Sequence, residues 1–152
     1  MVITLVSYAQ TYKMYSTRNY HNQLRLNTMT GEVQQIQDDG QSWEICSARE
    51  ASGDKVGRFC LYETQNMWTF ILLDSYNGRL WQVQYSTQDL DNLFCIPINK
   101  YELVSDNEKC IFSIQPLTSM YQYYLINDNT GDMWKFQWST KGDDYRWIEK
   151  FK

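Results

Sequence analysis

Apolar and polar residues alternate along short runs of this chain, a pattern typical of β-strands rather than helices. The middle of the chain shows it best, with four such runs at 58–62, 67–73, 79–85 and 93–98. Each run is rich in aromatic and β-branched residues and is bounded by Asn, Asp, Gly or Ser. The pattern therefore predicts four short strands and no competing helix.

The same pattern occurs three times along the chain. Residues 12–37 match 59–84 without a gap at an offset of 47, with seven identities in 26 positions. Residues 59–87 match 112–140 at an offset of 53, with eight identities in 29 positions. Self-similarity at this spacing indicates a repeated supersecondary unit.

Within each repeat, a turn that ends in glycine joins the second and third strands. The three turns run from Asn27 to Gly31, from Asp74 to Gly78 and from Asn127 to Gly131. An Asn or Asp side chain can bond backbone amides ahead of it, and glycine can adopt a positive φ. The glycines are therefore predicted to be structural turn residues of β-hairpins.

Alternation also indicates which strand faces are covered. In the second repeat, Trp68, Phe70 and Leu72 share one face of the second strand, and both of its faces are apolar. The third strand, with Trp81 and Val83, is apolar on one face only, so one face of each hairpin is expected to stay partly wet. We predict an all-β fold of three four-stranded antiparallel meanders, propeller-like, with a β-trefoil as the alternative. The repeats span about 1–50, 57–99 and 109–152 of a single domain over residues 1–152.

The hairpin sequences at 72–84 and 125–137 resemble the Leu-Leu-Asp-x-x-x-Gly-x-x-Trp hairpins of uncharacterised bacterial β-repeat proteins. That resemblance implies a propeller-blade-like fold and assigns no catalytic residue. The first repeat departs from the motif because Gln34 stands at the Trp position and His21 and Gln23 replace Trp68 and Phe70. We therefore expect the first repeat to pack differently or to face solvent.

Composition narrows the class of protein. With 43% hydrophobic and 16% aromatic residues, the chain is too apolar for intrinsic disorder, and its apolar runs are too short to span a membrane. Its 14 Lys and Arg against 18 Asp and Glu give a net charge of −4, so nucleic acid is not an expected partner. The N-terminus has no basic leader, and the four cysteines lack disulfide or metal-ligand spacing. We expect free thiols and a cytoplasmic location.

Residues with catalytic chemistry are scarce. The one histidine, His21, has no Cys, Asp or Glu at ligand spacing, and no nucleophile motif accompanies it. Paired carboxylates at 89 and 91 and at 143 and 144 lie in polar loops, and the segment 127–132 is favoured as a turn over a calcium loop. We predict no enzymatic activity, no metal and no cofactor.

Aromatic residues are the remaining candidates for binding, since Trp and Tyr are enriched at interfaces and stack on sugars or peptides. The candidate aromatic surface comprises Trp43, Trp68, Trp138 and Trp147. The leading hypothesis is a non-enzymatic protein-interaction or structural module that contacts a protein partner or another copy of itself. The alternative is a carbohydrate-binding module in which aromatic and amide side chains of the repeats form glycan sites.

Overall fold

The computed structural model describes residues 10–48, 55–105 and 109–152. These residues form three four-stranded antiparallel meanders, which confirms the predicted all-β fold class. The first sheet consists of β1 (Tyr12–Ser16), β2 (Asn22–Asn27), β3 (Val33–Gln37) and β4 (Ser42–Cys46). The second consists of β5 (Phe59–Glu63), β6 (Thr69–Asp74), β7 (Leu80–Gln84) and β8 (Phe94–Pro97). The third consists of β9 (Phe112–Pro116), β10 (Gln122–Asn127), β11 (Met133–Gln137) and β12 (Trp147–Lys150). Short 3₁₀ helices precede β8 (Leu90–Asn92) and β12 (Asp143–Tyr145).

The repeated turns have the predicted geometry. Gly31, Gly78 and Gly131 have φ values of 74°, 78° and 76°, in the left-handed region that favours glycine. At the start of the second turn, Asp74 Oδ1 accepts a hydrogen bond of 3.1 Å from the Tyr76 amide. Asn27 and Asn127 bond the amides ahead of them in the same way. All three glycines therefore occupy left-handed positions at the ends of equivalent turns.

A buried ion pair fixes the hairpin of the second sheet. Arg58 Nε and Nη2 donate to the two carboxylate oxygens of Asp74 at 2.8 and 2.7 Å. Both side chains are about 95% buried. This two-point contact fastens the segment before β5 to the turn between β6 and β7.

The three sheets stack face to face, with the second sheet in the middle. One core lies between the first and second sheets and includes Leu24, Leu26, Phe70 and Leu72. The other lies between the second and third sheets and includes Ile71, Leu73, Tyr123, Leu125 and Trp134. The second sheet therefore contributes opposite faces to two cores, which is how neighbouring propeller blades pack.

For the second repeat, the prediction of which strand faces are buried is correct for β6 and wrong for β7. β6 is buried along its whole length, as expected. β7 is not one-sided, however, because Gln82 is fully buried against the third sheet. In the third repeat, β10 alternates between buried and half-buried residues, so one of its faces is not covered. Position in the stack, which local sequence does not encode, causes both differences.

The expectation of four free thiols is wrong. Cys46 at the end of β4 and Cys95 in β8 form a disulfide between the first and second sheets. The 49-residue sequence separation gave no motif by which the pair could be recognised. Cys60 and Cys110 are free, and burial raises the pKa of the Cys60 thiol.

Candidate functional site

Each sheet has a front face, defined by alternate residues of its second and third strands. The front faces comprise Leu24, Leu26, Val33 and Gln35 in the first sheet, Ile71, Leu73, Leu80 and Gln82 in the second, and Tyr124, Ile126, Met133 and Lys135 in the third. The first two are buried under the next sheet along the chain. Among residues 10–48, 55–105 and 109–152, no sheet covers the third front face, and all four of its residues are half-buried.

A backbone contact recurs at both internal junctions. The Thr28 carbonyl accepts a hydrogen bond of 2.9 Å from the Phe59 amide of the second sheet. The equivalent Ser75 carbonyl accepts one of 3.0 Å from the Phe112 amide of the third sheet. Asp128 occupies the same turn position in the third repeat and is exposed. The third sheet therefore has the same turn, but the Asp128 carbonyl does not face a following strand of the described residues.

The surroundings of the turn glycines also differ between the third sheet and the other two. A Cβ atom at Gly31 would lie 2.9 Å from the Phe59 ring, and one at Gly78 would lie 3.1 Å from the Phe112 ring. A Cβ at Gly131 would meet nothing within 4 Å, although the backbone conformation is the same. The space that Phe59 fills at the first turn, and that Phe112 and Leu103 fill at the second, is open at the third.

Glutamine side chains form hydrogen bonds across both junctions between neighbouring sheets. Gln35 Nε2 donates to the Ser86 carbonyl at 2.8 Å, and Gln35 Oε1 accepts from the Ser86 amide at 3.3 Å. Gln82 Oε1 accepts from the equivalent Ser139 amide at 3.1 Å. The third repeat has Lys135 at this position, so its front face offers a cation where the others offer an amide.

The uncovered front face of the third sheet is largely apolar. Tyr124, Ile126 and Met133 are flanked by Trp147 and Phe151, and the Phe151 ring meets the Tyr124 ring edge-on at 5.4 Å. Phe151 is 46% exposed. Lys135 on β11 and Glu149 on the edge strand β12 are cross-strand neighbours on this face. An aromatic and aliphatic surface with one pair of opposite charges can be buried against a complementary protein face.

The opposite end of the stack combines polar groups with two exposed apolar side chains, Tyr12 (55% exposed) and Met14 (48% exposed). The back face of the first sheet carries Gln23, Arg25 and Gln34 where the second sheet has Phe70, Leu72 and Trp81. Arg25 Nη2 donates to Gln34 Oε1, and the guanidinium lies over the Tyr12 ring at 5.5 Å. Arg25 and Gln34 therefore bond each other on a face that is in contact with water, as predicted from the aberrant first repeat. It resembles a terminal cap of a repeat array.

A second feature repeats in all three sheets: a pocket at the end where the second strand begins and the third strand ends. Its framework is Trp68, Gln84 and Tyr85 in the second sheet, Tyr121, Gln137 and Trp138 in the third, and His21, Gln37 and Asp38 in the first. The volumes are about 520, 190 and 170 Å³ in that order. The sequence repeat thus places equivalent pockets, of which one is much larger.

The four tryptophans predicted to form one aromatic surface lie in different parts of the molecule. Trp68 is half-buried and lines the largest of the three equivalent pockets, whereas Trp147 is half-buried beside the uncovered front face. Trp43 is half-buried on β4, opposite Gln35. Trp138 is fully buried, so the expectation of an exposed binding aromatic is wrong there. Its ring packs against Tyr121, and its Nε1 donates to the Met120 carbonyl.

The polar residues that were considered as catalytic or metal-binding candidates form local side-chain contacts. His21 Nδ1 lies 2.6 Å from Asp38 Oδ2 on the surface. Asp89 caps the first 3₁₀ helix by accepting from the Asp91 amide. Asp143 pairs with Arg146. Hydrogen bonding to Lys150 lowers the pKa of Asp132, the last residue of the segment weighed as a calcium loop.

Sequence reasoning missed Ile126, Met133 and Phe151 as binding candidates. Aliphatic residues in strands are expected to be buried, and only the order of the sheets leaves these at an open end. The sequence signal was that Ile126 and Met133 match Leu73 and Leu80, so the third repeat keeps apolar residues at the positions that are buried in the second.

No protein-family model, curated protein or solved structure matches this chain. The described residues contain no helix long and apolar enough to cross a membrane. No cluster of three His, Cys, Asp or Glu side chains that could bind a metal ion is found within 10–48, 55–105 and 109–152.

Proposed function

We propose that the protein is a non-enzymatic interaction module that docks another protein molecule on the front face of its third sheet. The observation that carries the proposal is the difference between equivalent faces. The first two front faces are buried under a neighbouring sheet, whereas no sheet of the described residues covers the third, whose Tyr124, Ile126 and Met133 are half-buried. A contiguous apolar surface that lacks such a cover is typical of interaction sites.

The partner proposed for this face is a second copy of the chain, bound front to front. The polar back face of the first sheet lacks the Phe, Leu and Trp residues that cover a front face inside the molecule. A head-to-tail contact would therefore place Arg25 and Gln34 on apolar residues, at the expense of their hydration. A twofold contact pairs the two apolar faces and leaves a polar cap at each outer end.

Charge arrangement also favours a twofold contact. Lys135 and Glu149 are direct cross-strand neighbours on the front face. In an isologous interface, the same patch meets itself, so Lys135 of each copy can approach Glu149 of the other. A patch that carries both charges is self-complementary, whereas one with a single sign would repel its copy.

The proposal is tested by sedimentation of purified protein over a range of micromolar concentrations. We expect the wild type to be a dimer and Met133→Lys to be a monomer, because a buried unpaired cation at the contact is costly. The matched control is Ile36→Lys, which places a lysine at a half-buried apolar position on the polar back face of the first sheet. It should leave the dimer intact.

Two results would contradict the proposal. A wild type that stays monomeric at all these concentrations rules out self-association. Equal loss of the dimer in Met133→Lys and Ile36→Lys, with both variants folded by circular dichroism, would place the contact elsewhere.

A further inference from the structure

The pocket of the second sheet differs from its two counterparts in size. At about 520 Å³ it falls within the range of small-molecule sites, about 300–1,000 Å³, whereas the other two fall below it. It lies between Trp68 at the start of β6 and the loop 85–93 that connects β7 to β8. None of its lining residues belongs to the front face of the third sheet, so it is independent of the proposed docking contact.

One wall of this pocket is aromatic. The Trp68 ring is half-buried and packs against the buried Tyr85 ring at a centroid distance of 5.2 Å. Tyr85 in turn contacts Phe70 in the core between the first and second sheets. The indole is therefore held in place by packing while part of its surface faces the pocket. A fixed indole face can stack on the C–H groups of a flat ligand.

The other wall is polar and ordered by its own hydrogen bonds. Ser86 Oγ accepts from the amides of Gln88 and Asp89, at 3.4 and 3.2 Å. Gln84 Nε2 donates to the Asn92 carbonyl at 3.3 Å. With the loop fixed in this way, the exposed side chains of Thr87, Gln88 and Asp89 lie around the pocket. Ordering the polar groups beforehand lowers the entropy cost of binding.

We infer that this pocket binds a neutral saccharide. An aromatic plate beside hydroxyl, amide and carboxylate groups matches a pyranose ring, which has an apolar C–H face and a rim of hydroxyl groups. The lining contains Asp89 and no Lys or Arg, so hydroxyl donors are favoured over phosphate or acidic sugars. This site goes beyond the proposed protein contact and does not depend on it.

The third repeat provides an internal comparison. The run Gln84-Tyr-Ser-Thr87 corresponds to Gln137-Trp-Ser-Thr140, and Gln137 Nε2 donates to the Tyr145 carbonyl as Gln84 does to that of Asn92. The backbone framework is therefore shared. In the third repeat, Lys141 and Tyr145 line the smaller pocket at the positions of Gln88 and Asn92. The third pocket has less space, and Lys141 places a cation in its wall where the pocket of the second sheet has Gln88.

The test is saturation-transfer NMR with the full chain and a panel of neutral methyl pyranosides: glucoside, galactoside, mannoside and N-acetylglucosaminide. Methyl glucuronide serves as the acidic comparison. We expect saturable binding of at least one neutral pyranoside and weaker binding of the glucuronide. Trp68→Ala should weaken that binding about tenfold or more, since stacking and burial of the ring face are lost. Tyr121→Ala, at the equivalent position of the third repeat, should leave it unchanged.

Asp89→Asn tests the polar wall in a variant that should fold, because Asn also caps helices and Asp89 is exposed. Binding of the neutral pyranoside should weaken severalfold through loss of the charged acceptor. The inference is overturned if no neutral pyranoside gives a saturable signal. The inference is also overturned if pyranoside binding is unchanged in both Trp68→Ala and Asp89→Asn. Loss of binding in Tyr121→Ala alone would place the saccharide in the third pocket and would likewise overturn it.

Discussion

At the scale of single residues, the three turn glycines share one backbone conformation in three different surroundings. All have φ values between 74° and 78°. Gly31 and Gly78 are buried under Phe59 and Phe112, whereas Gly131 is exposed. The backbone requirement for glycine could be predicted from the turn sequences. The packing requirement could not, because it depends on which sheet follows.

This difference predicts graded effects of alanine substitution. Gly131→Ala should destabilise the fold by about 1 kcal/mol, the cost of holding alanine at positive φ. Gly31→Ala and Gly78→Ala should cost about 2–4 kcal/mol, because the added methyl also displaces Phe59 at the first turn and Leu103 and Phe112 at the second. Unfolding midpoints in urea for the three variants provide the measurement. Equal losses for all three would mean that the third turn is covered like the others.

At the scale of strands and sheets, the sequence predicted the elements well and their surroundings poorly. The four runs of the second repeat correspond to β5 to β8 within one or two residues at each end. Register within the hairpins also recurs, since Leu72 lies opposite Trp81 and Leu125 opposite Trp134. Local alternation and turn chemistry determine both features. Which face of each sheet is buried depends on the stacking order, which no single strand encodes.

The disulfide between the first two sheets is the clearest case of a long-range feature. Cys46 lies on β4 and Cys95 on β8, and neither is part of a recognisable motif. A crosslink that closes a loop of this size stabilises a fold by about 2–4 kcal/mol. Such bonds persist mainly in oxidising compartments, so the cysteines no longer support the expected cytoplasmic location.

Thiol counting and stability measurements check this bond. Protein denatured without reductant should bind alkylating reagent at two cysteines, Cys60 and Cys110, and at all four after reduction. The variant in which Cys46 and Cys95 are both replaced by serine should lose about 2–4 kcal/mol of unfolding free energy. Replacing Cys110, which is exposed, by serine is the control and should cost little. Four reactive thiols before reduction would contradict the bond.

At the scale of the whole molecule, the stack has two unlike ends. The back of the first sheet carries the hydrogen-bonded pair Arg25 and Gln34 beside the exposed Tyr12 and Met14. The front of the third sheet is mainly apolar, with Lys135 and Glu149 as cross-strand neighbours towards one edge. A repeat array needs polar surfaces at its ends to remain soluble. This chain has one such surface, and front-to-front pairing would give the assembled dimer two.

That arrangement makes a prediction about charge reversal. Lys135→Glu or Glu149→Lys alone should weaken dimerisation about tenfold or more, because each places like charges opposite each other across the twofold contact. The double variant, Lys135→Glu with Glu149→Lys, restores opposite charges and should recover most of the affinity. Dissociation constants from sedimentation, with unfolding measured in parallel, separate association from stability. Glu44→Lys, a reversal on the polar back of the first sheet, is the control and should leave the dissociation constant unchanged. If the double variant is as weak as the sum of the two single variants, Lys135 and Glu149 do not meet across the contact, and the front-to-front geometry is wrong.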